Sequence, residues 1–260
     1  MRRLGRTWPA VVAGLLLGVS FYATFARTQS AAPTLDLPNA SSHGVRVLFV
    51  GNSLTFENDL PELVHRLGGS RTPIVAGSFT APGWQLRQFA GDHQLERVLR
   101  GGHWDVVVLQ EQSQIPSFPA ADRAQEFTPY VDQLADEIRR SGAQPLLFQT
   151  WAHRTGDRRN VPADTYAAMQ ERVVAGYLDA ARDADSAVAP VGAAWAEALQ
   201  RRPQLALWSA DGTHPSRTGS YLAACVFYAV LTRKSPLGNA FTAGLQPSLA
   251  RFLQRVSVTA

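Results

Sequence analysis

Hydrophobic positions along the chain alternate between short, nearly unbroken runs and longer segments in which they recur every three or four residues. The first run, Val45 to Val50, ends at Gly51 and passes into Asn52-Ser53-Leu54-Thr55, so it reads as a strand ending in an exposed serine. Asn58-Asp59-Leu60-Pro61-Glu62 then places cap-type residues ahead of a proline suited to a first helical turn. That helix runs to about Leu67 and stops at Gly68-Gly69. Thr72 to Phe79 predicts a second strand, which leads into the turn Thr80-Ala81-Pro82-Gly83-Trp84. Leu86 to Arg100 predicts one or two short helices around a break at Gly91-Asp92. Trp104 to Leu109 is apolar almost throughout and predicts a strand buried on both faces.

Phe127, Tyr130, Val131, Leu134 and Ile138 follow helical spacing in a segment from Ala121 to Arg140, closed by Gly142. Pro145 to Trp151 is a fourth strand, and Arg154 to Pro162 reads as an exposed charged loop. A helix from about Asp164 to Ala184, a strand from Ala187 to Val191 and a helix from Ala193 to Arg201 follow. Ser216 is placed to cap a helix from Arg217 to Leu231, and Leu245 to Val256 is a last amphipathic helix. Five strands with intervening helices predict an α/β domain, a three-layer αβα sandwich around a five-stranded parallel sheet. Loops that follow strands share one end of such a sheet. Ser53, Gly83, the Gln110 to Gln114 segment and the Asp211 to His214 segment are therefore expected to converge there.

Charge changes the picture only at the amino terminus. The formal net charge of +4 comes from Arg2, Arg3, Arg6 and Arg27, and without them 21 basic residues face 21 acidic ones. The usual electrostatic ground for a nucleic-acid partner is thus missing. Met1 to Arg6 is positive, Trp8 to Ala26 carries no charge, and small residues surround Thr28-Gln29-Ser30-Ala31. This is the layout of a secretory signal over residues 1–30, and its apolar run is also long enough for an uncleaved membrane anchor. Residues 31–44 read as a flexible linker and residues 45–260 as the folded domain, exported to the periplasm or the extracellular space. The lone Cys225, among Ala223, Ala224, Val226 and Phe227, reads as a buried small residue.

A serine hydroxyl is a weak nucleophile until a base takes its proton. Asp211-Gly212-Thr213-His214-Pro215-Ser216 offers a histidine and an acid, with Pro215 keeping His214 out of helical conformation. Gln110-Glu111-Gln112-Ser113-Gln114 is dense in amides, which suit a developing oxyanion but also occur in solvated loops. His153 follows the fourth strand and is read first as a loop residue. Trp84, Trp151 and His153 are expected near the site, where aromatic faces suit sugar rings or acyl chains. No glycine-rich phosphate loop and no paired His and Cys spacing occurs, so neither a cofactor nor a metal is expected.

Gly51-Asn52-Ser53-Leu54 and Asp211-Gly212-Thr213-His214, in that order within Val45 to Leu231, resemble the first and last motifs of the SGNH hydrolases, also called GDSL esterases and lipases. The resemblance implies a flavodoxin-like sheet with Ser53 as nucleophile, His214 as base, Asp211 as its partner and Gly83 as an oxyanion donor. Asn52 stands where that family usually has Asp. The family's Gly-x-Asn block is replaced by Gln110 to Gln114, which resembles a variant branch sharing the Gln-Glu-Gln-Ser run and a Gly-x-His-Pro-Ser ending. Gln112 or Gln114 would then supply the missing amide, and Gln112 is favoured. The implied activity is hydrolysis of a small-molecule or glycan ester, with O-acetyl groups of carbohydrates or lipids as substrates. An acyltransferase on a glycan acceptor and a non-catalytic ligand-binding protein of the same fold are the alternatives.

Overall fold

A computed structural model describes residues 44–70 and 72–259. The proposed signal, anchor and most of the linker lie outside these residues. The domain opens with β1 (Val45–Gly51) and a single turn, α1 (Ser53–Phe56), which continues through a 3-10 turn into α2 (Leu60–Gly68). After β2 (Ile74–Thr80) come α3 (Leu86–Ala90) and α4 (His93–Gly101), then β3 (Val106–Leu109), α5 (Ala120–Glu126) and α6 (Thr128–Arg140). The chain ends with β4 (Gln144–Phe148), α7 (Tyr166–Asp183), β5 (Ala187–Ala189), α8 (Val191–Arg201), α9 (Arg217–Thr232) and α10 (Pro247–Val256).

All neighbouring strands pair in parallel, in the order β2-β1-β3-β4-β5. Alternation along β1 explains the three layers. Val45, Val47 and Phe49 face one core, built with Leu63 and Val64 of α2, Trp195 of α8 and Phe227 of α9. Leu48 and Val50 face the other, built with Phe89 of α3, Val131 and Leu134 of α6 and Val173 of α7. Because both faces are covered, β3 and the stretch of β1 from Val47 to Val50 read as unbroken apolar runs. The chain steps from β1 outward to β2 and then back across β1 to β3, and this reversal opens a crevice at the carboxyl ends of β1 and β3. Gly51-Asn52-Ser53 and Gln110 leave the sheet there.

Two predicted elements are corrected. The helix expected from Ala121 to Arg140 is broken at Phe127, whose φ of −132° is far from helical. Pro129 is the cause: it has no amide hydrogen for the carbonyl four residues back, and its ring clashes with that turn, so the helix restarts with Pro129 in its first turn. The fifth strand ends at Ala189 rather than Val191, since Pro190 cannot donate to a ladder and instead opens α8 two residues early. Elsewhere strand and helix ends move by a few residues. Cys225 is fully buried, and among the described residues no helix is long and apolar enough to cross a membrane.

Candidate active site

The turn after β1 is organised by Asn52, which caps α1. Its Oδ1 accepts from the Leu54 amide at 3.2 Å, and its carbonyl accepts from the amides of Thr55 at 2.9 Å and Phe56 at 3.1 Å. Ser53, as the first residue of α1, is held half-buried at the crevice. Gly51 is required by close approach, since a Cβ there would lie 2.5 Å from both Gln110 Oε1 and Thr55 Oγ1. Asn52 Nδ2 donates to the Trp84 carbonyl at 2.8 Å, tying this turn to the loop after β2. An ionised aspartate has no hydrogen to give that carbonyl, so asparagine is the residue that fits.

Ser53 Oγ lies 2.8 Å from His214 Nε2, and His214 Nδ1 lies 2.5 Å from Asp211 Oδ2. The second Asp211 oxygen accepts from the Thr213 and His214 amides at 2.9 and 3.0 Å and from the Ser209 hydroxyl at 2.9 Å. Desolvation raises the Asp211 pKa, but the His214 ring, these two amides and Ser209 outweigh it and hold the carboxyl below its ordinary range. Asp211 is therefore ionised and takes the hydrogen on Nδ1, which leaves the Nε2 lone pair facing the serine hydroxyl. Trp151 Nε1 donates to the Thr213 carbonyl at 3.0 Å, and Trp208 bridges to Pro215 across the loop. Asn58 Nδ2 donates to the Pro215 carbonyl and to Ser220 Oγ, both at 3.0 Å, clamping the segment after Ser53 to the segment after His214. Asn58 was expected only as a cap-type residue; Asp59 does the capping, accepting from Glu62.

The segment after β3 divides its polar groups between the turn and the crevice. Gln110 is fully buried, and its Oε1 accepts from the Asn52 amide and the Thr55 hydroxyl, both at 2.8 Å. Its Nε2 donates to Asn52 Oδ1 at 3.0 Å and to the Glu111 carbonyl. Glu111, also fully buried, accepts from the Leu86 amide at 3.2 Å and the Gln112 amide at 2.5 Å. Burial pushes its pKa up to about 8 against the pull of those two amides. Gln114 Nε2 is engaged by Asp157 Oδ1 at 2.8 Å, whereas Gln112 Nε2 has only a long 3.4 Å approach to Gln114 Oε1. Gln112 Oε1 accepts from the Gln114 amide at 2.8 Å, which holds the side chain in place, and its Nε2 keeps a donor for a ligand.

Gly83 has φ of +70°, which favours glycine, and a Cβ there would meet nothing within 4 Å, so its backbone is open. It borders a cleft of about 470 Å³ with Gln112, Ile115 and Phe118. A second cleft, of about 540 Å³, lies on the other side of Gln112 and Gln114, against Asp211 and Thr213. His153 belongs to this second cleft, with Nε2 at 2.8 Å from Ser113 Oγ, so it is a site residue as well as a loop residue. Burial pushes its pKa down, opposed by the charges of Asp157 and Asp211. Trp151 is corrected in the other direction. It is only 1 % exposed and stacks on Trp195 with centroids 4.1 Å apart, so it offers no ring face to a ligand.

The predicted Ser53, His214 and Asp211 therefore meet directly, with the Gly83 turn joined to them through Asn52 and Trp84. Gln112 and Gln114 border the crevice. Sequence reasoning missed Gln110, Glu111 and Asn58 as supports. Polar residues directly continuing a fully buried strand were the available sign for the first two.

No protein-family model and no curated protein matches the sequence. Solved structures do match. A protein from Slackia heliotrinireducens, assigned as an SGNH hydrolase, is 29% identical over 72% of this chain and 98% of its own, with a TM-score of 0.58. A DUF4886 family protein from Bacteroides uniformis is 20% identical over 84% of this chain and 94% of its own, with a TM-score of 0.69. An acetyl xylan esterase is 15% identical over 72% of this chain and all of its own, with a TM-score of 0.57. The last two likenesses show the fold alone.

Proposed function

We propose that this chain, a member of the SGNH/GDSL hydrolase superfamily, hydrolyses carboxylic esters with Ser53 as nucleophile, His214 as general base and acid, and Asp211 as the anchor of the imidazole. The unbroken hydrogen-bond chain from Asp211 through His214 to Ser53 carries this reading. Attack of Ser53 Oγ on the ester carbonyl passes its proton to His214 Nε2, and the resulting imidazolium is stabilised by ionised Asp211. Collapse breaks the bond to the leaving alcohol, which takes the proton from His214. Water, deprotonated by the same nitrogen, then releases the acid and restores Ser53.

The negative oxygen of each tetrahedral intermediate is received by the Ser53 and Gly83 amides and by the Gln112 side chain. One such donor is worth about 3 kcal/mol of barrier, or ~100-fold in rate. Compact acyl esters, O-acetyl groups on carbohydrates first, are the substrates. The aromatic support expected from Trp151 is gone. The support now comes from the cleft beside Asp211, whose polar and charged side chains suit the hydroxyls of a sugar. The charge and apolar layout of residues 1–30 supports action outside the cytoplasm.

The test is a chain-length series of nitrophenyl esters with wild-type and Ser53→Ala protein. Turnover is expected to peak at acetate or butyrate and to vanish in the variant. A maximum at eight carbons or beyond would refute the compact substrate, and equal rates in the two proteins would refute the nucleophile.

A further inference from the structure

The loop between β4 and α7 carries three arginines within six residues, Arg154, Arg158 and Arg159. None pairs with a carboxylate among the described residues. Arg154 Nη2 donates to the Ala210 carbonyl at 3.2 Å and Arg158 Nε to the Asp164 carbonyl at 3.3 Å, while Arg159 has no hydrogen-bond partner among the described residues. The nearby acids are already taken. Asp164, buried, binds Arg172 at 2.6 Å and the Asp157 amide at 2.7 Å. Asp157, buried as well, accepts from Gln114 Nε2 at 2.8 Å and Asn160 Nδ2 at 2.7 Å. Arg172 also reaches the Ser117 carbonyl at 3.1 Å. The loop is thus braced by one ion pair, Asp164 with Arg172, and by hydrogen bonds, and the cationic groups it presents are left over from that bracing.

Arg158 and Arg159 line the 540 Å³ cleft beside Asp211 and Thr213, together with Asp157, Ser113 and His153. Apart from glycines, every lining side chain is polar or charged. The cleft on the Gly83 side differs, with Ile115 and Phe118 on its wall and Asp122 and Glu126 at its edge. The two clefts flank Gln112, which separates a hydroxyl-rich side bearing two arginines and two aspartates, with Asp157 buried and Asp211 engaged by His214, from a partly apolar side whose charged residues are both acidic. Ester hydrolysis assigns them different duties. The histidine must stand beside the leaving oxygen, so space along the Asp211 to Thr213 loop faces the alcohol half of the ester, and space along Gly83 faces the acyl half.

We propose that the cleft beside Asp211 binds the alcohol half of the substrate and that this half carries an anionic group, a carboxylate, sulfate or phosphate, close to the acylated hydroxyl. Arg158 and Arg159 receive the anion, and the cleft's hydroxyl and amide groups receive the sugar or polyol that bears it. Guanidinium suits this role because its planar fork pairs two donors with two oxygens of one anion. The lining of the other cleft holds Asp122 and Glu126 but no arginine, so the guanidinium groups also favour one orientation of the ester. The proposal deepens the ester-hydrolase reading and rests on it for the orientation of the two halves.

Two arms keep the two readings apart. In the first, Ser53→Ala protein is titrated by calorimetry with a methyl glucuronoside carrying one O-acetyl group, with the matching neutral glucoside, and with its sulfated and phosphorylated forms. At least one anionic ligand is expected to bind roughly tenfold to hundredfold tighter than the neutral one, and the three anions identify which group is preferred. In the second, the ratio of kcat/KM for the anionic over the neutral ester is measured. It is expected to fall to about one in Arg158→Ala/Arg159→Ala and below one in Arg158→Glu/Arg159→Glu, with the loss in KM, and to shrink as salt is added. Equal binding of neutral and anionic ligands, or a preference that survives both double variants, would overturn the anion site. Failure of wild-type protein to hydrolyse any activated ester would instead overturn the ester reading, leaving the binding arm to decide the cleft.

Discussion

The Asp211 to His214 segment and the Gln110 to Gln114 segment both reach the turn that holds Ser53, and they are held in place by opposite means. Asp211 leaves 49 % of its side chain exposed, and its partners Ser209, Thr213 and His214 lie two or three residues away. Gln110 and Glu111 are fully buried, and their partners Asn52, Thr55, Leu86 and Tyr177 lie 25 to 66 residues away. The carboxylate and imidazole of the first segment find their partners within it, and its backbone is docked on the loop after β4 by Trp151 and the Arg154 amide. The second has no meaning until β1, β3, α3 and α7 have assembled. Damage to the first should therefore be read in rate, and damage to the inner half of the second in stability.

The largest effects test the first segment. Ser53→Ala and His214→Ala should each lower ester turnover roughly 10⁴-fold or more, with Asp211→Asn close behind, and thermal melting should be nearly unchanged. A comparable fall in Tm would contradict the local character of this segment. Gln112→Ala comes next. It should lower kcat by ~100-fold with little change in KM, and Gln114→Ala should do less to the rate because its amide serves Asp157. The reverse ranking would move the oxyanion role to Gln114.

Gln110→Ala should behave differently from its neighbour. It strands the Asn52 amide and the Thr55 hydroxyl in a buried place, at about 1–3 kcal/mol of stability, which chemical denaturation can measure. A stable Gln110→Ala protein with merely slower turnover would show that the buried pair is not a structural support. Glu111→Gln changes the pH dependence of stability, with a definite sign. A carboxyl whose folded pKa is raised contributes stability that is full below its ordinary value of 4.5 and is lost as pH rises through about 8. Glutamine does not titrate, so the variant should gain on wild type as pH rises across that window, in melting curves recorded side by side. A difference that is flat with pH would mean that Glu111 is not held neutral.

How far the sequence could be read follows the same division. Strands β1, β3 and β4 were legible because they are largely buried on both faces, and the order of the strands along the chain brought Ser53 and His214 to one end of the sheet. The Asp-x-x-His segment was legible because its hydrogen bonds close within a few residues. Gln110 was read only as one amide among several, since nothing local shows that its side chain turns back beneath Asn52. Asn58 looked like a cap because cap residues and cross-loop clamps share the same short polar chemistry. Trp151 stands beside the site but turns its ring away, for a related reason: an aromatic residue after a strand can face ligand or core, and its stacking on Trp195 depends on a helix more than forty residues away. Pro129, by contrast, carried the helix break in plain view.

The nucleophile is tested most directly by treating the purified protein with a fluorophosphonate probe and locating the adduct by peptide mass spectrometry. A working Asp211–His214–Ser53 chain gives a single adduct on Ser53 that is absent in Ser53→Ala and strongly reduced in His214→Ala. A folded wild-type protein that takes up no probe, or takes it up on another serine, would contradict it.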